Sequence, residues 1–294
     1  AGAGFDMGRK CIFSMIHRVI HMIRALGAKW VILTVISFSP PAGASDLKYN
    51  KEDVIHTFNK MAFSPEFGGG DEQNENIKKW KKDVILRVTG SSNLNDFQEI
   101  EKNIIIPLIN DISLITKLNI DYQNGLSTQA NQIRNFFIFI EDRTRFPDLL
   151  RLLKSKLTVQ GQGLDFVSVY ESWLSRNFQH EFCAAASFPS PQGIVLSVVV
   201  IEAVDGKNTL IKECLNEEVV QGFGLLNDMQ NGAASLFADD HVHSVMTPLD
   251  RCVLSILYSE VVGNGFSRDD MERVFLNAES NGVFSSSACE GMEN

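Results

Sequence analysis

The residues with the clearest capacity for chemistry lie in one short segment, which begins at Glu217 and reads EEVVQGFGLLN. If the segment starts as a helix, Glu217 and Gln221 are neighbours on its surface, because residues four apart share a side. Glu218 is offset by one position, and Gly224 allows the chain to leave the helix sharply. Asn227 can then fold back toward the same place. Carboxylates and amides grouped in this way could hold a hard cation or form a polar network.

The spacing resembles the metzincin pattern His-Glu-x-x-His-x-x-Gly-x-x-His, in which the histidines hold zinc and the glutamate activates water. Glu218 stands at the position of that general base, and Gly224 stands at the turn glycine. The three histidine positions are occupied by Glu217, Gln221 and Asn227. Met246, within a Ser-Val-Met-Thr-Pro segment, resembles the Met-turn of such proteins. The resemblance implies one zincin-like domain of the α+β or α/β class, with a mixed sheet packed on the motif helix.

The ligand chemistry argues against ordinary zinc catalysis. Zinc prefers imidazole and thiolate ligands, and one carboxylate with two amides is a poor substitute. His241 and His243 are weak candidates for a metal site, because a His-x-His pair in an acidic loop is typical of solvated surface. The oxygen-rich group that includes Asp228 suits calcium better, although its spacing is not that of an EF-hand loop. The sequence therefore predicts no bound cofactor, with calcium as the alternative.

A polar network is the favoured interpretation of the same residues. In that arrangement Glu217 and Glu218 accept hydrogen bonds from backbone amides, from Gln221 or from an arginine such as Arg251. The following residues, Asn227 and Asp228, would cap the turn. Glu218 is catalytic only if the site holds a metal.

Periodicity predicts the elements that position this cluster. Helical spacing indicates helices over residues 46–67, 96–117, 148–156 and 209–223, and a helix that begins at Pro248 and runs through 258. Pro107 should kink or split the second of these. Apolar runs indicate strands over residues 84–88, 120–122, 135–141 and 194–202. Residues 164–176 fit either a helix or a strand. We expect one domain over residues 45–277 and an irregular tail over 278–294.

Several short segments together resemble a bacterial domain-of-unknown-function family, numbered 2927, over about residues 49–265. They are Lys79-Trp80, the Cys214-Leu-Asn-Glu-Glu helix, the Gln-Gly-Phe-Gly-Leu-Leu-Asn-Asp turn, Ser235-Leu-Phe and Leu257-Tyr258. The resemblance implies a compartment and a fold but no substrate. It also implies that the loss of the histidines is shared within the family.

The ends of the chain differ in charge. The first 45 residues hold five basic side chains and one acidic one, and the remainder holds 22 Lys and Arg against 35 Asp and Glu. An acidic body gives no electrostatic support for nucleic-acid binding. The basic start, a short apolar run and Ala42-Gly43-Ala44 predict a signal peptide over residues 1–44. The alternatives are an uncleaved N-terminal anchor or a buried helix, and residues 1–6 fit a remnant of cloning. We expect a periplasmic or extracellular protein.

Cleavage there would leave four cysteines: Cys183, Cys214, Cys252 and Cys289. An even number in an oxidising compartment permits two disulfides, and we favour the two pairs that close short loops, Cys183–Cys214 and Cys252–Cys289. Buried free thiols are the alternative.

Two functional hypotheses follow. The favoured one is a non-catalytic zincin-like protein that binds a protein, peptide or envelope component. The other is a metal-dependent hydrolase or peptidase, with Glu218 as base and oxygen ligands or His241 and His243 around the metal. The sequence predicts a soluble mature body, and contact with a membrane only if the N-terminus stays uncleaved.

Overall fold

The computed structural model describes residues 48–63, 76–90, 97–123, 135–142, 144–145, 147–149, 151, 183–203, 208–229, 234–238 and 243–293. The predicted signal segment, residues 164–176 and His241 lie outside these residues. Of the helix expected over 148–156, residues 148, 149 and 151 are described, and they are helical.

The described residues form an α+β domain around a mixed five-stranded sheet. Its strands are β2 (Val84–Gly90), β3 (Ile120–Gln123), β4 (Phe136–Asp142), β5 (Cys183–Ser190) and β6 (Gly193–Ala203). They lie in the order β3-β2-β4-β6-β5, and every neighbouring pair is parallel except β5 with β6. The four predicted strands are confirmed. The continuous apolar run of β6 reflects burial on both faces, which is usual for a strand inside a parallel sheet.

Strand β5 was not predicted from the sequence. It reads CAAASFPS, which is rich in alanine and contains a proline, and neither residue favours strands. The strand forms because it pairs with β6 across a tight turn at Pro191 and Gln192. Pro189 is accommodated because the register shifts between Phe188 and Pro189, at the edge of the sheet, where a missing N–H is tolerated.

Helix α1 (Lys51–Met61) is shorter than its predicted span and is preceded by β1 (Tyr49–Asn50). The second predicted helix consists of α2 (Phe97–Ile100), a π-helical turn (Glu101–Ile105) and α3 (Ile106–Thr116). The helix therefore widens in the turn before Pro107 instead of breaking. A π-helical turn is one way in which a helix continues through a place where its regular i to i−4 hydrogen bonds are interrupted.

The helices that follow the sheet lie close to their expected positions. Helix α4 (Asn208–Gln221) carries the motif, and α5 (Pro248–Leu257) begins at the predicted proline. Thr247 caps α5: its side chain accepts from the Asp250 backbone, and the Asp250 side chain accepts from the Thr247 backbone.

The region after residue 277 is ordered, contrary to the expectation of an irregular tail. Helix α6 (Arg268–Leu276), which was not predicted, leads to α7 (Ala278–Asn281), a 3-10 turn (Ser287–Cys289) and β7 (Met292–Glu293). Strand β7 pairs in parallel with β1, and Cys289 is bonded to Cys252 on α5. Contacts distant in sequence, which local composition does not reveal, order this segment.

One hydrophobic core lies between the helices and the sheet. Among its largest fully buried side chains are Trp80, Phe58, Phe136, Phe223 and Phe237. Phe136 of β4 stacks on Phe223 with ring centroids 5.1 Å apart, so the residue two positions after α4 is packed directly on the sheet. Within the described residues, no helix is both long and apolar enough to cross a membrane.

Candidate functional site

Helix α4 lies along the last two strands of the sheet, β5 and β6. Midway along the helix, Cys214 is joined by a disulfide to Cys183, the first residue of β5, with a Cα–Cα distance of 5.8 Å. At its end, the carbonyl of Gly222 accepts from the hydroxyls of Ser197 on β6, at 2.8 Å, and Ser187 on β5, at 3.4 Å. From the first contact to the second, the residue number rises along both α4 and β5. The two elements therefore run side by side in the same direction.

The motif residues of α4 face β5. Glu217, Glu218 and Gln221 follow Cys214 by three, four and seven positions, which places them on the side of the helix that carries the disulfide. Glu218 is 6% exposed and Gln221 is 3% exposed, whereas Glu217 is half-buried. Glu217 and Glu218 each have an interaction partner. A carboxylate thus lies within the helix–strand contact instead of on open surface.

The polar residues around the motif do not all point to one place. The Gln221 side chain donates from Nε2 to Oδ1 of Asp228 at 2.7 Å, across the turn that follows α4. Asn227 instead donates to the carbonyl of Lys60, at 3.3 Å, and so connects the turn to the end of α1. Of the three positions that correspond to zinc ligands, one is thus bonded across the turn and another is directed to a different helix.

The arginine suggested as a partner for the glutamates is used elsewhere. Arg251 on α5 forms a 2.5 Å ion pair with Asp111 on α3. The expectation that Arg251 compensates Glu217 or Glu218 is therefore wrong. Packing of α5 against α3 decides the partner, and sequence distance gives no indication of it.

The turn after α4 is held by side chains whose role was not apparent from the sequence. Trp80 donates from its indole nitrogen to the carbonyl of Gly222 at 2.9 Å, and the Tyr258 hydroxyl donates to the carbonyl of Phe223 at 2.7 Å. Gly224 has φ +109°, and a Cβ there would lie 2.3 Å from the carbonyl oxygen of Lys78. The predicted need for glycine at this position is therefore confirmed, for both backbone and space.

Lys79 holds the end of α5 close to this turn. Its ammonium group donates to the carbonyls of Leu257, at 2.8 Å, Val262, at 2.6 Å, and Ser259, at 3.3 Å. A cation at a helix C-terminus is favoured by the helix dipole. Burial, with a smaller effect of the nearby Lys81 charge, lowers the pKa of Lys79 to about 8.

The segment with Met246 is organised by Asp250, which is fully buried. The Asp250 carboxylate accepts from the Ser235 hydroxyl at 2.6 Å, the Leu236 amide at 2.9 Å, and both the amide and the hydroxyl of Thr247. One carboxylate thereby joins residues 235–236 to the start of α5. Met246, next to Thr247, is 5% exposed and belongs to the core.

The described part of the chain contains no cluster of side chains arranged to bind a metal ion. No group of three or more His, Cys, Asp or Glu side chains is placed there to hold an ion. His243 is half-buried before the Met246 segment, and its predicted companion His241 lies outside the described residues.

Comparison with known families matches residues 51–277 to the family described as "Protein of unknown function (DUF2927)". The chain belongs to this family. No curated protein and no solved structure matches it. Within DUF2927 the matched region runs from the start of α1 to just beyond α6, so it includes α4, the Asp250 network and Trp80, Lys79 and Tyr258.

Both predicted cysteine pairs of this DUF2927 member lie at disulfide distance. Cys183 and Cys214 join β5 to α4, and Cys252 and Cys289, with Cα atoms 4.4 Å apart, join α5 to the C-terminal 3-10 turn. Two disulfides are compatible with an oxidising location outside the cytoplasm, because thiols in the cytosol are kept reduced.

Proposed function

We propose that this DUF2927 protein is an exported, zincin-like protein that binds a protein or peptide segment beside α4 and catalyses no hydrolysis. The observation that carries the proposal is the position of the motif side of α4. Its carboxylates and amide face the last strand of the sheet, which is a suitable wall for a binding groove, while its zinc-ligand positions hold no imidazole.

The likeness to zincins is supported by the arrangement of the elements. A mixed sheet packs on the helix that carries the motif, Gly224 turns the chain immediately afterwards, and a buried Met246 precedes the next long helix. The glycine and the methionine follow the motif helix in the same order as in the metzincin pattern.

The absence of hydrolysis is supported by the chemistry at the ligand positions. The Gln221 side chain donates a hydrogen bond to Asp228, and the Asn227 side chain donates one to the Lys60 carbonyl. Carboxamides are weak zinc ligands in comparison with imidazole or thiolate. Glu218 would therefore have no metal-bound water to activate.

Export is supported by two independent features. The N-terminal sequence has the order of basic, apolar and small residues that a signal peptide requires. The two disulfides each join elements that are distant in sequence, and such bonds are common in oxidising compartments and rare in the cytosol.

Selection from a displayed library of random peptides on the purified, oxidised protein tests the binding function. We expect enriched sequences that bind in solution and whose affinity falls at least tenfold in Glu217→Lys. Glu272→Lys, the same charge change on α6, is the matched control and should bind as wild type. Failure to enrich any binder would contradict the proposal.

Elemental analysis of the same protein, with peptide-cleavage assays, tests the hydrolase alternative. The proposal expects less than stoichiometric metal and no turnover that depends on Glu218. A stoichiometric metal together with cleavage that is lost in Glu218→Ala would overturn it.

A further inference from the structure

A short lysine-rich segment crosses the end of the sheet at which the parallel strands begin. Trp80 forms an isolated parallel bridge with Ile194, at the start of β6. Three residues later, the carbonyl of Asp83 accepts from the side-chain amide of Asn135, just before β4, at 3.0 Å, and β2 begins at the next residue. Because β4 lies between β6 and β2, the chain from Trp80 to β2 runs along this end of the sheet.

Three exposed lysines lie at this end of the sheet. Lys81 and Lys82 belong to the crossing segment, and Lys117 ends α3. The Val84 amide donates to the carbonyl of Asn119 at 3.0 Å, two residues after Lys117, so the end of α3 lies beside the start of β2. From β6 to β3 the sheet has three strand spacings, about 15 Å in all. The three lysines therefore form one small patch.

Two exposed apolar side chains lie among these lysines. Leu114 is 78% exposed and precedes Lys117 by three positions, which makes the two residues neighbours on α3. Val195 is 43% exposed. Val195 and Lys81 directly follow the two members of the parallel bridge, so they leave it side by side. We call this surface the lysine edge, and its members are Lys81, Lys82, Lys117, Leu114 and Val195.

The local charge of the lysine edge is positive although the chain as a whole is acidic. Asp83 is the one acidic residue in the segment 77–83, and the segment 112–120 contains none. Exposed charges farther apart than about 8 Å are largely screened at physiological ionic strength. The acidic residues elsewhere in the chain therefore do not prevent this edge from attracting a surface that carries phosphate groups.

We infer that the lysine edge lies on the surface of an anionic lipid bilayer, with its lysines beside the lipid phosphates and Leu114 inserted at the boundary of the acyl chains. The apolar members carry the choice of a bilayer: a soluble polyanion attracts only the lysines, whereas the acyl boundary also buries Leu114 and Val195. The inference goes beyond the proposed peptide binding, and it extends the sequence-based expectation that assigned membrane contact to an uncleaved N-terminus alone.

Sedimentation of the purified, oxidised protein with lipid vesicles tests the inference without any substitution. One set of vesicles contains phosphatidylcholine alone, and the other contains about 30% phosphatidylglycerol, which gives the surface a negative potential. We expect at least tenfold stronger partitioning onto the anionic vesicles, and a decrease of this difference in about 0.5 M salt because of screening. Equal partitioning onto the two sets would overturn the choice of an anionic surface.

Charge reversal locates the contact on the protein. The double variant Lys82→Glu and Lys117→Glu should partition onto the anionic vesicles at least tenfold more weakly than wild type. The double variant Lys60→Glu and Lys102→Glu is the matched control, because it changes the same charge at two exposed lysines elsewhere on the surface, and it should partition as wild type does. Both variants keep the basic N-terminal segment. Equal partitioning of the two variants would therefore assign the binding to that segment or to another surface and overturn the inference.

Leu114→Ser distinguishes a bilayer from a soluble polyanion. We expect at least threefold weaker partitioning onto the anionic vesicles, because the variant loses the apolar side chain that enters the acyl boundary. Leu276→Ser is the matched control, since Leu276 is 77% exposed at the end of α6, and it should leave partitioning unchanged. If charge reversal weakens partitioning and Leu114→Ser does not, the lysine edge binds phosphate groups without insertion, and the bilayer is the wrong partner.

Discussion

Gln221 and Asp228 are joined by a 2.7 Å hydrogen bond that closes the turn between the motif helix and the chain that follows it. Gln221 is 3% exposed, so its amide is satisfied within the protein and not by solvent. The position that would hold a second zinc ligand in a metzincin is therefore part of the structure of the turn.

Replacement of Gln221 should destabilise the fold, because the Asp228 carboxylate loses its hydrogen-bond donor. Gln221→Ala removes the donor to a carboxylate, and we expect a loss of about 1.5–3 kcal/mol in the free energy of unfolding. Gln221→Glu should be worse at pH 8 than at pH 4.5, because it places a second carboxylate beside Asp228. Urea unfolding at the two pH values measures both effects. Asn227→Ala is the control, and equal losses in all three variants would contradict this role.

Gly224 should not tolerate a side chain. Gly224→Ala combines φ +109° with a Cβ 2.3 Å from the Lys78 carbonyl oxygen. Gly265 provides a matched control, because its φ is +87° but a Cβ there meets nothing within 4 Å. We expect Gly265→Ala to cost about 1 kcal/mol from backbone strain alone, and Gly224→Ala to cost several times as much. Thermal unfolding of the two variants checks this, and equal shifts would show that the steric contact is relieved by relaxation.

The contribution of Lys79 to stability should depend on pH in a defined direction. Its pKa is lowered from 10.5 to about 8, so between these values the unfolded chain binds the proton more tightly than the folded one. The part of the unfolding free energy that comes from Lys79 therefore rises as the pH rises through this window. We expect the stability of wild type relative to Lys79→Met to increase between pH 8 and pH 10, measured by urea unfolding. Parallel pH profiles would contradict the lowered pKa.

Lys79→Met should itself be destabilising at pH 7. The carbonyls of Leu257, Ser259 and Val262 lose their common donor. Buried carbonyls left without a donor cost about 1–3 kcal/mol. A variant as stable as wild type at this pH would mean that water replaces the ammonium group.

Asp250 and Asp270 allow the same capping box to be compared inside and outside the core. Each accepts from the backbone and hydroxyl of its N-cap residue, Thr247 or Ser267, but Asp250 also accepts from Ser235 and Leu236. All four groups around Asp250 are donors, so Asp250→Asn turns an NH₂ group toward at least one of them. We expect a loss of roughly 3 kcal/mol for Asp250→Asn, and a much smaller loss for Asp270→Asn. Urea unfolding distinguishes the two, and equal losses would contradict the importance of the buried network.

The two disulfides should differ in their effect on binding. The two disulfides close loops of 31 and 37 residues, so they reduce the entropy of the unfolded chain by similar amounts. Removal of either bond should therefore lower the free energy of unfolding by about 3–4 kcal/mol. Only the pair Cys183→Ala and Cys214→Ala separates α4 from β5, and we expect it to weaken binding of the library-selected peptides. The pair Cys252→Ala and Cys289→Ala should instead release β7 from β1, seen as faster amide exchange at Met292. Loss of peptide binding in both double variants, when both are folded, would contradict this division.

The local sequence pattern was sufficient to predict those elements whose structure depends mainly on their own residues. The apolar run of β6 is long enough to require burial on both faces, and helical spacing in α4 predicts its length to within two residues at either end. Gly224 was predictable because only glycine readily adopts positive φ after a helix. The cysteine pairs followed from number and spacing.

Other features depend on contacts between distant parts of the chain. The alanine-rich sequence of β5 has little preference for a strand, and it becomes one because β6 supplies its hydrogen bonds. Arg251 pairs with Asp111, 140 residues earlier, and not with the nearer glutamates, because α5 packs on α3. The segment after residue 277 is ordered by Cys252 and by β1.

The sequence by itself determined the motif: its spacing, its turn glycine and its lack of imidazole ligands are properties of the residues alone. Only the tertiary structure decided what the motif faces, which is the outer strand of the sheet, and which of its polar groups are already bonded. The reason is that the direction of a side chain follows from local geometry, whereas its partner is set by the packing of elements that are far apart in the chain.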